Sequence, residues 1–365
     1  MRRVHLVSLP HTQTTRDYLT CAYTMKIVKF CAMMKPLGYE VVLYAGEENE
    51  ADCYAHIPLI SKVECERWFG KHELGRIYPI TWDPNDIHWR TMNRRAVRAI
   101  RDFRASEQDI VLLIAGNCQQ EIEAELPEML ACEWGVGYEG IFARACAFES
   151  AAWRHYIYGR QGHIDGRWYD TVIHNFFNPD DFYTAPKDDY LLYIGRVIMR
   201  KGVHIAAMLA ERTGHKLLVA GAGVSRVEPG MIFGDDVTIQ GKHVEYVGAL
   251  GHEERARIMA GAAATLVPTI YFEPFGGVAV ESMLAGTPAV TSDWGAFTET
   301  VEPGLTGERF GTLAEGAAAI ERALLLDPEA IRSRAIERFS LKAIGPQYDA
   351  WFGRVLSLWN TGWAE

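Results

Sequence analysis

The stretch Tyr271-Phe272-Glu273-Pro274-Phe275-Gly276-Gly277-Val278-Ala279-Val280-Glu281 constrains this chain more than any other. Seven residues separate Glu273 from Glu281, and a Pro, an aromatic and two glycines follow the first carboxylate closely. Apolar and small residues precede it, from Ala262 to Pro268, and Val278 to Ala285 continues in residues suited to a buried helix. The pattern predicts strand, tight loop and helix. Such a loop is an anion site, because Gly276 and Gly277 let the backbone approach a ligand and the first free N–H groups of the helix point at it. The helix dipole adds about 0.3–1 kcal/mol per charge at an exposed site and up to about 2 kcal/mol when partly buried. A pyrophosphate fits there, with Glu281 accepting from a vicinal diol such as ribose and Glu273 facing a sugar. The plainer alternative makes Glu273 a helix N-terminal charge and Glu281 a solvated helix residue.

Flanking segments narrow the choice. Leu191-Leu192-Tyr193-Ile194-Gly195-Arg196-Val197-Ile198-Met199-Arg200-Lys201-Gly202 reads as a strand, a Gly-Arg turn and a Lys-Gly entering a helix. Downstream come Ala285-Gly286-Thr287-Pro288 and Glu299-Thr300-Val301-Glu302-Pro303-Gly304. Together these residues resemble family 4 of the retaining glycosyltransferases (glycosyl transferases group 1), over about residues 170–310 and more loosely before them. The resemblance implies an α/β chain of the GT-B type, two Rossmann-like doubly wound domains facing a central cleft. It implies transfer of a hexose from a UDP- or GDP-linked sugar to a hydroxyl acceptor, on a glycan, lipid or small molecule, with retention at the anomeric carbon. Catalytic roles then fall to Glu273, Arg196 and Lys201. Donor binding falls to Glu281, Phe275, Gly276, Gly277 and Val278, and to the backbone of Tyr246 and Val247, which in similar enzymes meets the nucleobase. Retention in that family is thought to proceed on one face of the sugar, the leaving phosphate taking the acceptor proton, so no nucleophile is assigned. The nucleotide sugar is a co-substrate. No further cofactor and no metal is expected: no Asp-x-Asp occurs, and Arg196 and Lys201 would have to neutralise the diphosphate.

At 365 residues and 48% apolar composition the chain can fill two sizeable cores. The division expected is 1–180 for an acceptor-side domain, 181–340 for the nucleotide-sugar domain and 341–365 for a C-terminal helix crossing back to the first. No apolar run approaches the ~20 residues of a membrane span, and the opening alternation is too short for a signal sequence, so a cytoplasmic address is expected. The seven cysteines are scattered without metal-ligand spacing and read as reduced thiols. The net charge is −10 and neither half is basic, which argues against bulk attraction to nucleic acid or anionic membrane. One exception is Arg90, Arg94, Arg95, Arg98, Arg101 and Arg104, several of which share a helical face. That face is either solvated or a track for an anionic acceptor such as DNA carrying hydroxymethylated pyrimidines, the alternative acceptor.

Along the chain, residues 1–9 predict a first strand, followed by a glycine-free loop with His11, Thr12 and Thr15, and then a helix from about Asp17 to Met34. Residues 47–90 read as strands and loops. A strand over 109–116 follows, then another ending in a Gly-rich loop with Glu133 and Trp134 where relatives commonly place a His. His11, Thr12, Glu133 and Trp134 are the acceptor-side candidates, with Glu133 alternatively a turn carboxylate. Gly221-Ala222-Gly223 carries two glycines of a dinucleotide fingerprint, but Arg226 replaces the third. A tight strand exit is the expectation there, and a nicotinamide-dependent oxidoreductase the rival of another class. A catalytically silent nucleotide-sugar binder is a further alternative. Apolar spacing over 346–363 predicts a last helix.

Overall fold

Runs of Val, Ile and Leu with no polar alternation call for strands buried on both faces, which is the condition of a parallel sheet covered by helices. The computed structural model, which describes residues 2–361, contains two such sheets, each in its own unit. One unit comprises 1–73, 78–176 and the C-terminal segment from Leu341; the other comprises Leu74–Ile77 and Phe177–Ser340.

In the first unit seven strands, all parallel, lie in the order β3-β2-β1-β4-β5-β6-β7. They are β1 (Arg2–Val7), β2 (Tyr39–Gly46), β3 (Ala55–Ile60), β4 (Ile110–Leu113), β5 (Leu130–Val136), β6 (Ala145–Phe148) and β7 (Thr171–Val172). The period-two rule of strands sorts their side chains into two layers. Val4, Leu6, Val41, Leu43, Ile110, Leu112 and Leu130 face one core, whereas Val7, Val42, Tyr44, Val111 and Leu113 face another. Helix Ala22–Met34 and the C-terminal helix Leu341–Thr361 cover the first layer. Ile344, Tyr348, Trp351, Phe352 and Val355 are buried in that core, and the Trp351 indole N–H donates to the Tyr169 carbonyl at 2.7 Å. Trp363, placed in this helix by its spacing, lies outside the described residues.

The second unit repeats the plan. Its parallel strands are β8 (Tyr190–Ile194), β9 (Lys216–Ala220), β13 (Val244–Gly248), β14 (Ala264–Val267), β15 (Ala289–Ser292) and β16 (Gly307–Phe310), in the order β13-β9-β8-β14-β15-β16. An antiparallel meander of β10 (Val224–Glu228), β11 (Met231–Gly234) and β12 (Thr238–Gln240) is inserted after β9. Both sheets step outward from their first strand in one direction and then reverse, the doubly wound arrangement whose ligands gather at strand carboxyl ends.

Three local expectations differ from the fold. The first helix starts at Ala22, not Asp17, because residues 15–21 form successive turns and the Tyr18 ring stacks on His72, 4.1 Å between centroids. Residues 47–90 include a helix, Lys62–Phe69, started by a capping box in which Ser61 and Glu64 exchange side-chain and backbone hydrogen bonds. The strand expected over 109–116 closes at Leu113, and the chain turns at once into a 3-10 segment, Gly116–Gln119. No helix among the described residues is long and apolar enough to cross a membrane.

Candidate active site

Two strand exits of the second unit, after β8 and after β14, are held together by their backbones. Past β8 the chain makes the Gly195-Arg196 turn, a 3-10 turn Met199–Lys201, and Gly202 at φ +75° before helix Val203–Thr213. A Cβ on Gly202 would stand 1.8 Å from the Pro268 carbonyl oxygen, so only glycine permits this approach. The Ile270 N–H then donates to the Arg200 carbonyl at 2.9 Å. This packing explains why Lys201 and Glu273, far apart in sequence, meet: Lys201 Nζ donates to Glu273 Oε2 at 2.9 Å and to Oε1 at 3.2 Å. The Tyr271 hydroxyl donates to Glu273 Oε1 at 2.8 Å and accepts from Lys201 at 3.1 Å. Lys201 and Arg200 also lie 4.6 and 4.2 Å from the Tyr271 ring centroid, within cation–π range. Glu273 keeps 11% of its side chain exposed and Lys201 28%, so the pair is shielded yet reachable.

The predicted strand, loop and helix resolve into β14, residues 268–276 and helix Gly277–Leu284. Gly276 is left-handed at φ +76°, and a Cβ there would stand 2.2 Å from the Phe297 ring. The helix buries Ala279, Val280, Met283 and Leu284. Its open N-terminal N–H groups follow Glu273 by a few residues, the layout of an anion site. Glu281 sits one turn in and accepts from Arg255 Nε at 3.0 Å, with a second contact from the Arg255 Nη2; both land on Oε2. Arg255, on helix His252–Gly261, is a partner that no motif announced.

Arg196 does not join Lys201 at Glu273. Its guanidinium binds Asp235 Oδ2, at 2.7 Å from Nη2 and 3.2 Å from Nε. The Phe275 ring is buried and packs against Phe177 and Phe339, which leaves its backbone to face the loop. Val278 is half-buried beside the same core. Tyr246 and Val247 lie on β13, and the Tyr246 hydroxyl donates to the Gly221 carbonyl at 2.7 Å. After Gly221-Ala222-Gly223 the chain enters strand β10 and not a helix, so the phosphate-binding helix end of a dinucleotide fold is missing there.

The acceptor-side candidates belong to the first unit and separate from one another. Trp134 is fully buried among Phe30, Phe176 and Tyr348, a core residue with no ligand-facing surface. Glu133 is fully buried as well. It accepts from the N–H groups of Phe142 and Ala143 at 2.7 and 2.9 Å and from the Tyr138 hydroxyl at 3.2 Å, closing the loop after β5. Burial pushes its carboxyl up to about 7. Thr12 shares a 2.6 Å hydrogen bond with Thr24 beneath the surface. His11 is enclosed by Phe69, Tyr78 and Trp82, and burial lowers its imidazole to about 3. A buried ion pair escaped the sequence: Lys26 Nζ lies 2.7 Å from Glu149 Oε1 and donates to the Gly135 carbonyl at 3.0 Å, at the carboxyl ends of β5 and β6. Its trace in the sequence is one of two lysines, Lys26 and Lys29, within the largely apolar run 22–34.

The basic helix is Ile87–Phe103, and acids from neighbouring elements answer most of its arginines. Arg94 pairs with Glu121, Arg95 with Glu64, Arg101 with Glu125 and Arg104 with Glu128. These pairs balance much of the charge on that face, as a solvated helix face does. Among the described residues no group of three His, Cys, Asp or Glu is placed to hold a metal ion.

Residues 177–338 match the family described as glycosyl transferases group 1. The chain is 38% identical over 164 residues to a glycogen synthase of Mycobacterium tuberculosis, covering 42% of this chain and 37% of that protein, so it spans little more than a third of that relative. AviGT4, a glycosyltransferase involved in avilamycin A biosynthesis, superposes with a TM-score of 0.68 at 20% identity over 98% of both chains. HepE of Anabaena, solved in complex with UDP and glucose, superposes with a TM-score of 0.64 at 13% identity over 97% of this chain and 100% of its own. Residues 177–338 thus carry the sequence pattern of the glycosyl transferases group 1 family, and the chain has the GT-B fold of these solved glycosyltransferases.

Proposed function

We propose that this chain is a retaining glycosyltransferase that moves a hexose from a UDP- or GDP-linked sugar to a hydroxyl acceptor, with side chains and not a metal neutralising the departing diphosphate. The observation that carries the reading is the meeting of Lys201, Tyr271 and Glu273 beside the open N-terminus of helix Gly277–Leu284. The solved relative with UDP and glucose bound supports it.

In the reaction the bond from the anomeric carbon to the diphosphate oxygen breaks, and the acceptor oxygen bonds to the same face of that carbon. The acceptor proton passes to the leaving phosphate. Negative charge grows on the diphosphate as an oxocarbenium-like sugar develops. Lys201 and Arg196 stabilise it with charge-assisted hydrogen bonds of about 1.5–3 kcal/mol each, and the helix N–H groups add to them. Glu273, held by Tyr271, binds hydroxyls of the donor sugar. Glu281, gripped by Arg255 through Oε2, keeps Oε1 for the ribose diol. Neutral, enclosed His11 and the aromatic rings around it suit a hydroxyl acceptor better than an anionic backbone.

A thermal-shift panel of UDP, GDP, their sugars and nicotinamide dinucleotides tests the donor. Stabilisation by one nucleoside diphosphate, and none by the dinucleotides, is expected. Product NMR with the stabilising donor should show the anomeric configuration retained. No stabilisation by any nucleoside diphosphate, or inversion at the anomeric carbon, overturns the proposal.

A further inference from the structure

The meander β10–β12 interrupts the Rossmann pattern of the second unit, and the turn leaving β11 carries Asp235 and Asp236. Both carboxylates reach the Gly-Arg turn. Asp235 Oδ2 accepts from Arg196 Nη2 and Nε at 2.7 and 3.2 Å, and Asp236 Oδ1 accepts from the Met199 N–H at 2.7 Å, at the start of the 3-10 turn that presents Lys201. The meander is docked, not draped. Ile232, Val237 and Ile239 share one apolar core with Val197, and the Val197 N–H donates to the Ala222 carbonyl at 2.8 Å. Gly234 comes so close that an added Cβ would stand 2.4 Å from the Val197 carbonyl oxygen.

The geometry at Arg196 is one-sided. Nε and Nη2 are engaged by a single carboxylate oxygen, and Nη1 has no partner among the described residues. A guanidinium is a rigid fork, so fixing one edge fixes where the other points. We infer that Asp235 is a positioning residue for the donor diphosphate: it holds the guanidinium of Arg196 by one edge so that the Nη1 edge meets the leaving phosphate. Asp236 fixes the turn from which Lys201 extends. The inference rests on the nucleotide-sugar reading of this site. The side chains of Arg196 and Asp235 are 45% and 41% exposed, and a pair so open to water contributes little to stability. Substitution therefore leaves the thermal midpoint nearly unmoved while altering how Arg196 meets its anion.

A double-mutant cycle on the full-length chain tests this, reading UDP and GDP affinity by calorimetry and the hydrolysis rates of UDP-glucose and GDP-mannose. Asp235→Ala is expected to lower kcat about tenfold and nucleoside diphosphate affinity by about three- to tenfold, less than the loss of a whole charge-assisted contact because Arg196 itself remains. Asp235→Asn, whose amide oxygen still accepts from the guanidinium, should recover to within about threefold of the native rate. In the Arg196→Ala background, Asp235→Ala should add less than about a twofold change. Multiplicative losses in that background would mean Asp235 serves only the meander, and overturn the inference. A harmful Arg196→Ala with a silent Asp235→Ala would overturn the inference alone. A silent Arg196→Ala, or no binding of either nucleotide, would remove the diphosphate assignment and the inference with it.

Discussion

Lys201 and Glu273 neutralise each other while both stay within reach of a ligand, so a substitution at either should separate chemistry from folding. Glu273→Gln keeps the size and one acceptor oxygen but removes the charge that fixes the Lys201 ammonium. The expected result is a fall in kcat of about 10- to 100-fold, with circular dichroism and thermal midpoint close to native. Activity within twofold of native would break the assignment. Glu133 predicts a different behaviour, because its fully buried carboxyl titrates near 7 in the fold against 4.5 when free. The folded state binds its proton more tightly than the unfolded chain does. Its contribution is therefore complete below pH 4.5, declines as pH rises toward 7, and is gone above it. Glu133→Gln should flatten that decline, which spans up to roughly 3 kcal/mol if the burial effect is fully expressed. Urea titrations at pH 5 and pH 8 measure it, and an unchanged difference between the two would refute it.

The strand exits show what a sequence reveals at the level of elements. Gly195-Arg196 and Lys201-Gly202 were legible because a turn and a close backbone approach each leave a residue type behind, and β14 with its following helix was legible from its apolar run and paired glycines. The sequence shows that an aromatic stands at Phe275, not which side of the loop its ring takes. Helix Lys62–Phe69 was missed although Ser61 and Glu64 spell a capping box, because the polar and aromatic residues around it mask the helical period. Arg255 and Asp235 left no signal, since their partners lie 26 and 39 residues away and neither pair belongs to a local pattern. The burial of the Phe275 ring predicts that Phe275→Ala lowers stability by about 3–5 kcal/mol, as loss of a buried aromatic does. Nucleoside diphosphate affinity of the folded fraction should stay within about threefold. Gly202→Ala should do the reverse of a conservative change, destabilising the chain by several kcal/mol and abolishing turnover, since its Cβ would stand 1.8 Å from the Pro268 carbonyl oxygen.

At the scale of the molecule, the chain, apart from Leu74–Ile77, stays in its first unit up to Phe176 and returns to it at Leu341, so the last helix in sequence belongs to the core built by the first strand. Each unit has its own apolar interior. Two transitions are therefore expected in calorimetry, each reporting one unit. Trp351→Ala removes a buried indole and its 2.7 Å bond to Tyr169, and should destabilise the first unit by about 3–5 kcal/mol. At about 2–4 °C per kcal/mol for units of this size, one midpoint falls by roughly 6–20 °C. Phe275→Ala should lower the other. Saturating nucleoside diphosphate, bound by groups of the second unit alone, should raise only the midpoint that Phe275→Ala lowers, by an amount that grows with ligand concentration. A ligand that instead raised the transition sensitive to Trp351 would place the nucleotide in the wrong half of the chain. It would separate the Lys201–Glu273 pair from the role proposed for it.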